Sequence, residues 1–424
     1  MIILGALLFW RFRLAFAFLG LATLLALGLT NPKNIVEFAG LDIILFLIGM
    51  MILIGFLEER HFFERIVDAI TGYVGPHAIR LTVVLMGLSA LFAALVDEVT
   101  SILFMGATVF QLSGRYRVSP VPLLIMVVFA TNIGSAATVV GNPVGVMIAL
   151  RAGLTFADFL RWATPIALLA LAVSIPLLLR HFRKPIAELG AAMRSANPVV
   201  ADKLAVRELV FSQEMRLPWA LFGGTILLLI LHTPIEKILG LEKNAMLLGT
   251  SLAVAGLVLM LERERARELV EKRVEWWSLS FFILLFASVG TLNLTGVTNV
   301  LASRLADAAG GNEVALFFSF TWVAGIGSAF MDNVLAIATL IPVVQELGNL
   351  GLDVFPLWWG MLFAGTFLGN LTMIGSTANI VAIGMLERRG LGHISMGEWM
   401  RATAIPSILT LAIASALIYL QLLR

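Results

Sequence analysis

The chain has 424 residues, of which 60% are hydrophobic and 13% are charged, and its formal net charge is +2 at pH 7. This composition excludes an ordinary soluble domain and gives no basic surface for nucleic acid. The absence of cysteine excludes disulfides, thiol redox chemistry and cysteine-ligated metals. We therefore expect an integral membrane protein, and apolar runs of helical length favour an all-α fold over a barrel.

Apolar segments separated by charged or proline-containing loops predict nine full crossings. They lie near residues 14–30, 41–57, 121–150, 164–179, 217–232, 245–261, 276–295, 356–386 and 402–422. Two further apolar pieces, residues 79–112 and 317–347, are too long for one helix. The first is interrupted by Asp97-Glu98 and the second by Asp332-Asn333, which predicts two re-entrant helical hairpins with polar tips.

Loop charges fix the orientation of these elements. With a cytoplasmic N-terminus, 22 of the 29 Lys and Arg residues fall on the cytoplasmic side, as the positive-inside rule requires. The same topology gives an inverted repeat of two five-element halves, each with a re-entrant hairpin and a broken transmembrane helix. We predict a first repeat at residues 1–179, a cytoplasmic connector plus a linking transmembrane helix at 180–244, and a second repeat at 245–424. The expected location is the inner (plasma) membrane.

Asp97, Glu98 and Asp332 are the acidic residues predicted to lie deep in the bilayer. An ionised side chain is costly there unless it is paired or hydrated, so such groups are usually functional. The alternative is that each carboxylate only caps the second helix of its hairpin. Because the same position is acidic in both halves, we predict that these three residues couple transport to protons or ions.

Two breaks rich in Gly, Asn and Thr interrupt apolar segments at matching places in the two halves. Paired interrupted helices are typical of a transporter's binding site near the bilayer midplane, whereas helix packing through small residues is the alternative. The neutral donors and acceptors that we predict to bind the solute are Asn132, Ser135, Thr138, Asn142, Asn333, Asn370, Thr372, Ser376, Thr377 and Asn379. We expect no catalytic residue, metal site or cofactor, because no enzyme motif is present.

The hairpins and broken spans contain no Lys, Arg or His within residues 81–114, 121–150, 317–347 and 356–386. We therefore expect a cavity without a cationic side chain, which favours a cation, a proton-coupled polyol-like solute or a metalloid hydroxide over a dianion. Transport would draw on an ion gradient or on a separate soluble ATPase. The tryptophan pairs Trp276-Trp277 and Trp358-Trp359 are interpreted as anchors at the membrane interface.

Four stretches of the chain resemble the ion transporter superfamily, nearest its arsenite permease and melanosomal P protein branch. They are residues 47–53, 94–100, 129–138 and 329–339. The resemblance implies a homodimer in which a mobile domain moves like an elevator against a scaffold, with the hairpin tips and breaks meeting at the site. The chain departs from that branch at Asp97-Glu98, where the family usually has Asp-Asn, and the extra carboxylate suggests an added proton site.

The leading hypothesis is a secondary active transporter that exports arsenite or antimonite from the cytoplasm, coupled to proton influx. Arsenite is an uncharged trihydroxide at neutral pH, which suits hydroxyl and amide ligands. A sodium/proton antiporter is the first alternative. A sodium-coupled carboxylate symporter is the second, disfavoured by the missing basic residues. A non-transporting membrane scaffold would have no need for buried acids at matching positions.

Overall fold

The computed structural model describes residues 5, 12–75, 77–195 and 212–422. Every regular element within these ranges is helical, in agreement with the predicted all-α fold. The middle of the predicted connector, residues 196–211, and most of the first ten residues lie outside the described part of the chain.

The helices follow one another with short connections. In chain order they are α1 (Arg13–Ala26), α2 (Pro32–Phe38), α3 (Leu41–Glu59), α4 (Phe62–Val74), α5 (Ala78–Leu95), α6 (Glu98–Tyr116), α7 (Val121–Ser135), α8 (Pro143–Ala152), α9 (Phe156–His181), α10 (Arg183–Ser195), α11 (Arg216–Leu239), α12 (Ala245–Glu262), α13 (Ala266–Arg273), α14 (Trp276–Leu294), α15 (Val297–Ala309), α16 (Glu313–Phe330), α17 (Asn333–Asn349), α18 (Phe355–Phe367), α19 (Thr377–Arg388) and α20 (Met396–Leu422).

Within the described residues, eight helical stretches are long and apolar enough to cross a membrane, so the chain is a multi-pass membrane protein. They are Leu41–Glu59, Ala78–Leu95, Phe156–His181, Gln213–Leu239, Ala245–Arg273, Trp276–Leu294, Glu313–Phe330 and Met396–Gln421. The first predicted crossing is shorter than expected, because α1 ends at Ala26. Which helices cross and which re-enter stays a prediction.

Each predicted hairpin is a pair of helices separated by a two-residue turn. Helices α5 and α6, the first hairpin, pack on each other and are separated by Val96-Asp97. Helices α16 and α17, the second hairpin, also pack together and are separated by Met331-Asp332. In both hairpins the interruption falls at the acidic residues that the sequence singled out.

Both predicted broken spans are interrupted as expected. In the first, α7 ends at Ser135 and α8 begins at Pro143; we call residues 136–142 the first break. In the second, α18 ends at Phe367 and α19 begins at Thr377; we call residues 368–376 the second break. Side chains cap the resumed helices, since Asn142 accepts from the backbone N–H of Gly145 at 2.7 Å.

The helices before α11 pack against the helices after it. Helix α1 packs on α14 while α3 packs on α12. Helix α6 of the first hairpin packs on α19 after the second break, and α17 of the second hairpin packs on α8 after the first break. As a result, the two hairpin tips and the two breaks meet in the interior of the bundle.

The tryptophan interpretation agrees with the exposure of one pair and is wrong for the other. Trp276 and Trp277 are 45% and 53% exposed, as interface anchors should be. Trp358 and Trp359 are only 5% and 0% exposed, and the ring of Trp359 packs edge-on against that of Phe159 at 5.0 Å. The physical reason is that α18 is surrounded by other helices, which cover both indole rings.

Candidate functional site

Asp97 and Asp332 cap the helices that follow them. An oxygen of Asp97 accepts from the backbone N–H groups of Val99 at 2.7 Å and Thr100 at 2.9 Å. Asp332 does the same with Val334 at 3.0 Å. The two aspartates therefore act as N-caps, because each carboxylate accepts from backbone N–H groups that a helix leaves free at its N-terminus.

Glu98 joins the two hairpin tips. It is 1% exposed, and its Oε1 accepts from the side-chain amide of Asn333 at 3.4 Å. Its Oε2 accepts from the hydroxyl of Ser135, at the end of α7, at 3.3 Å. One carboxylate thus contacts the second hairpin and the helix that leads into the first break.

Asp332 also faces a cationic side chain. Its Oδ2 accepts from the hydroxyl of Thr377 at 2.7 Å and lies 3.7 Å from the guanidinium Nη1 of Arg13. Arg13 stands in the first turn of α1 and is only 5% exposed. Its Nη2 donates to the hydroxyl of Ser278 at 3.2 Å, and the guanidinium carbon lies 5.0 Å from the ring centre of Phe281.

A cavity of about 450 Å³ opens beside these groups. Its polar and charged lining residues are Arg13, Glu58, Asp97, Glu98, Thr100, Asn142, Lys272, Arg273, Glu275, Ser278 and Thr377. The expectation of a cavity without cationic side chains is therefore wrong. The sequence rule considered only hairpins and broken spans, whereas the cations come from the start of α1 and the end of α13.

Most of the predicted amide ligands bind one another. The side-chain nitrogen of Asn132 donates to the oxygens of Asn370 and Asn379, both at 2.8 Å. The oxygen of Asn132 accepts from the hydroxyl of Ser376 at 2.9 Å. A residue just before the first break thereby holds three polar side chains in and after the second break, and all four are fully buried.

Other polar side chains bond to groups near the same break or to the neighbouring hairpin. Asn142 donates to the hydroxyl of Ser135 at 2.8 Å, and Asn379 donates to the carbonyl of Thr372 at 2.8 Å. The hydroxyls of Thr138 and Thr372 donate to the carbonyls of Ala94 and Ala329, respectively. Such bonds satisfy backbone groups that an unwound segment would otherwise leave unpaired inside a membrane.

The structure therefore brings the predicted residues together but gives them different surroundings. Of the predicted solute ligands, Asn142 and Thr377 line the cavity, as do the predicted coupling residues Asp97 and Glu98. The other predicted ligands lie behind this surface or in the amide network, and their binding role stays a prediction. Among the described residues, no group of three or more His, Asp or Glu side chains is arranged to hold a metal ion.

Sequence reasoning missed Arg13. The positive-inside rule assigns it to a cytoplasmic loop together with Arg11, and no pattern in the sequence separates the two arginines. Only the packing of α1 on α14 shows that the side chain enters the interior. Lys272 and Arg273 belong to a run of alternating charges at residues 262–275, and such a run predicts a solvated helix extension and not a cavity wall.

Comparison with known proteins places this fold among transporters. A family model described as CitMHS, citrate transporter, matches residues 2–364 and 289–424. An uncharacterized transporter of Mycobacterium tuberculosis is 33% identical over 386 residues, which cover 90% of this chain and 86% of the relative. Human P protein is 26% identical over 462 residues, covering 89% of this chain and 53% of P protein.

A solved structure agrees with the fold. The YdaH transporter of Alcanivorax borkumensis aligns with a TM-score of 0.56 and 15% sequence identity, covering 92% of this chain and 86% of that one. At this identity the likeness concerns the fold alone. The family match and the mycobacterial relative go further, and they confirm the expectation of a transporter rather than an enzyme. The chain belongs to the CitMHS citrate transporter family of the ion transporter superfamily, and it is a secondary transporter.

Proposed function

We propose that this chain transports a small carboxylate such as citrate, together with protons or other cations bound at the hairpin tips. The observation that carries the proposal is the buried guanidinium of Arg13, which lines the cavity 3.7 Å from Asp332. Guanidinium groups are well suited to carboxylates because they offer several donors in a planar fork. The description of the family as citrate transporters supports the same solute class.

The cavity has the size and chemistry for such a solute. Its volume of about 450 Å³ lies within the range of roughly 300–1,000 Å³ that is usual for small-molecule sites. Asn142 and Thr377 offer an amide and a hydroxyl for uncharged groups of the solute. The carboxylates of Asp97 and Glu98 would repel an anion unless they are neutralised, so a carboxylate has to enter with protons or cations.

The proposal includes the predicted architecture. Residues 1–179 and 245–424 form two inverted repeats joined by residues 180–244. The protein lies in the inner membrane with its N-terminus on the cytoplasmic side. Helices of the first half pack on helices of the second, α1 on α14 and α3 on α12, which supports two repeats that pair with each other. In the proposed architecture the hairpins and breaks form a mobile unit that moves against α1, α3, α12 and α14. The working form is a homodimer, and as a secondary transporter it needs no soluble ATPase.

Export of arsenite or antimonite is the second candidate. It is favoured by the amide of Asn142 and the hydroxyls of Thr100 and Thr377, which line the cavity. An uncharged trihydroxide could replace the hydrogen bonds of water at these groups without thiol ligands. The buried arginine gives it less support than it gives a carboxylate, because an uncharged solute leaves the guanidinium without a new partner.

Reconstituted proteoliposomes test these alternatives. We expect labelled citrate to accumulate when an inward proton or sodium gradient is imposed, and to exchange with unlabelled citrate when no gradient is present. Accumulation of labelled arsenite in everted vesicles, without citrate uptake, would replace the carboxylate with the metalloid. Sodium-dependent collapse of a pH gradient with neither solute present would select a sodium/proton antiporter.

A further inference from the structure

We propose that the ion pair between Asp42 and Arg151 is a latch that holds the mobile unit against the scaffold and has to open in every transport cycle. This inference rests on the proposed architecture, in which α3 and α14 belong to the scaffold. Helix α17 is part of the second hairpin and α8 follows the first break, so both belong to the mobile unit. These two helices also pack on each other.

A second cavity, of about 540 Å³, lies on the boundary between the scaffold and the mobile unit. Like the first cavity it is lined by α3, α8, α14 and α17, but by a different part of each helix. Along α3 the lining passes from Phe46 in the first cavity to Ile43 in the second, and along α8 it passes from Pro143 to Met147. About one turn of each helix therefore separates the two cavities.

The candidate site faces the first cavity. Asp97 and Asn142 line that cavity, whereas the charged residues of the second are Glu37, Asp42 and Arg151. A transporter has to present its site to both faces of the membrane in turn. Because α8 and α17 run from one cavity to the other, a displacement of the mobile unit by one turn, about 5.4 Å, would carry the site toward the second cavity.

Asp42 and Arg151 join the two parts at the second cavity. Arg151 donates from Nη1 to Oδ2 of Asp42 at 2.8 Å and from Nη2 to Oδ1 at 3.1 Å, which makes the pair bidentate. Gly40 leaves room for the guanidinium, since a Cβ there would lie 3.4 Å from Nη2 of Arg151 and 2.7 Å from the ring of Phe286. A displacement by one turn is much longer than either bond, so the pair has to open.

The pair can open without leaving a charge buried and alone. The side chains of Arg151 and Asp42 are 32% and 37% exposed, so water can solvate both charges after they separate. Asp42 stands in the first turn of α3 and Arg151 in the last turn of α8, where the helix dipoles favour a negative and a positive charge, respectively. A partly exposed pair of this kind is weak enough to open in each cycle.

A reversible tether between the two positions tests the latch directly. Because the chain has no cysteine, a variant with Asp42→Cys and Arg151→Cys can be joined by a short bifunctional methanethiosulfonate. In proteoliposomes we expect this tether to stop the exchange of labelled citrate, and a reductant that cleaves it to restore exchange.

The matched control for the tether combines Glu59→Cys with Arg265→Cys. These two residues form an ion pair of the same length, 2.8 Å, but it joins the end of α3 to the residues that follow α12, within the scaffold. A tether at this place should leave citrate exchange running.

Thiol labelling of the purified chain measures the same opening without any solute. Met147→Cys is the probe, because Met147 is fully buried and a shift of one turn would bring it to the place of Arg151, which is partly exposed. Asp42→Asn should raise the labelling rate of this probe by roughly two- to fivefold, as expected for the loss of a partly exposed ion pair. Arg151→Gln should do the same, and the double variant should do no more, because all three lose the same pair.

Two further variants protect the labelling test. Glu37→Gln removes the other carboxylate of the second cavity, which is exposed, and should leave the labelling rate of Met147→Cys unchanged. Ala130→Cys, which is fully buried in α7, reports general loosening and should be labelled equally slowly in every variant. Additive effects of Asp42→Asn and Arg151→Gln, or equal rises at both cysteine probes, would overturn the latch.

The outcomes separate this inference from the proposed function. Wild-type protein that exchanges no citrate would overturn the carboxylate function, and the labelling of Met147→Cys, which needs no solute, would still decide about the latch. Citrate exchange that continues while Asp42→Cys and Arg151→Cys are tethered would overturn the latch and leave carboxylate transport in place.

Discussion

The Glu98 carboxylate lies 3.4 Å from the side-chain amide of Asn333, so the first residue of α6 contacts the first residue of α17. These two residues stand 235 positions apart, and each directly follows a capping aspartate. The contact joins matching positions of the two hairpins, but it joins an acid to an amide. The two tips are therefore chemically different, and only the first carries a second carboxylate.

Replacing Glu98 with glutamine should uncouple transport without dismantling the site. The amide keeps hydrogen-bonding capacity toward Ser135 and Asn333 but can no longer take up or release a proton. We expect gradient-driven accumulation of solute to fall by about tenfold or more, while exchange of labelled for unlabelled solute persists. Uptake and exchange in proteoliposomes measure both quantities.

Glu264→Gln is the matched control for this variant, because Glu264 is exposed and lies away from the cavity. It should leave accumulation and exchange unchanged. Accumulation by Glu98→Gln at the wild-type level would show that the extra carboxylate of the first hairpin takes no part in coupling.

Thr138→Val and Thr372→Val should destabilise the protein by similar amounts. Each hydroxyl donates to the next-to-last carbonyl of a hairpin's first helix, at Ala94 and Ala329 respectively. Loss of the donor leaves a buried carbonyl unpaired, which costs about 1–3 kcal/mol. Thermal unfolding in detergent should show both losses, whereas Thr410→Val, whose hydroxyl bonds within its own helix, should show a smaller one. Very unequal losses would argue against equivalent roles in the two halves.

Asn132→Ala should cost more stability than any other single replacement in the amide network. It removes the donor shared by Asn370 and Asn379 and the acceptor used by Ser376. Three buried polar groups then lose a partner at once, at about 1–3 kcal/mol for each that finds no substitute. Melting temperatures of Asn132→Ala and Ser376→Ala should differ clearly, and equal values would mean that the network re-forms without Asn132.

Gly375→Ala should impair folding or transport, because there is no room for a side chain at this position. A Cβ would lie 2.5 Å from the carbonyl oxygen of Gly369 and 3.0 Å from that of Ala329, both of them backbone atoms. Overpacking of this kind costs about 1–3 kcal/mol or more. The control is Gly223→Ala in α11, where a Cβ meets nothing within 4 Å. This substitution should stabilise the helix by about 1 kcal/mol. Expression yield and melting temperature compare the two variants, and wild-type values for Gly375→Ala would contradict the packing described here.

The sequence predicted best where two features of the chain reinforced each other. An acidic residue inside an apolar run located both hairpin turns, because a helix that must restart inside the bundle needs an acceptor for its free N–H groups. Gly and Asn clusters located both breaks for a similar reason. The meeting of the four elements followed from their matching order in the two halves, although their path through the bilayer stays a prediction.

The sequence could not predict which polar groups face the cavity. Asn132 and Asn142 belong to the same cluster, yet one is enclosed among other amides and the other lines the cavity. Their surroundings are determined by helices far away in the chain. Arg13 is the clearest case, because its role depends on contacts with residues 278 and 332, more than 260 positions further along.

The bonds from Asn132 to Asn370, Asn379 and Ser376 have a mechanical consequence. They join α7, the helix that leads into the first break, to the second break and the start of α19 through one side chain, so these segments cannot slide past each other while the bonds last. A transport cycle that keeps the bonds must displace these segments together, and its hinges must lie outside them.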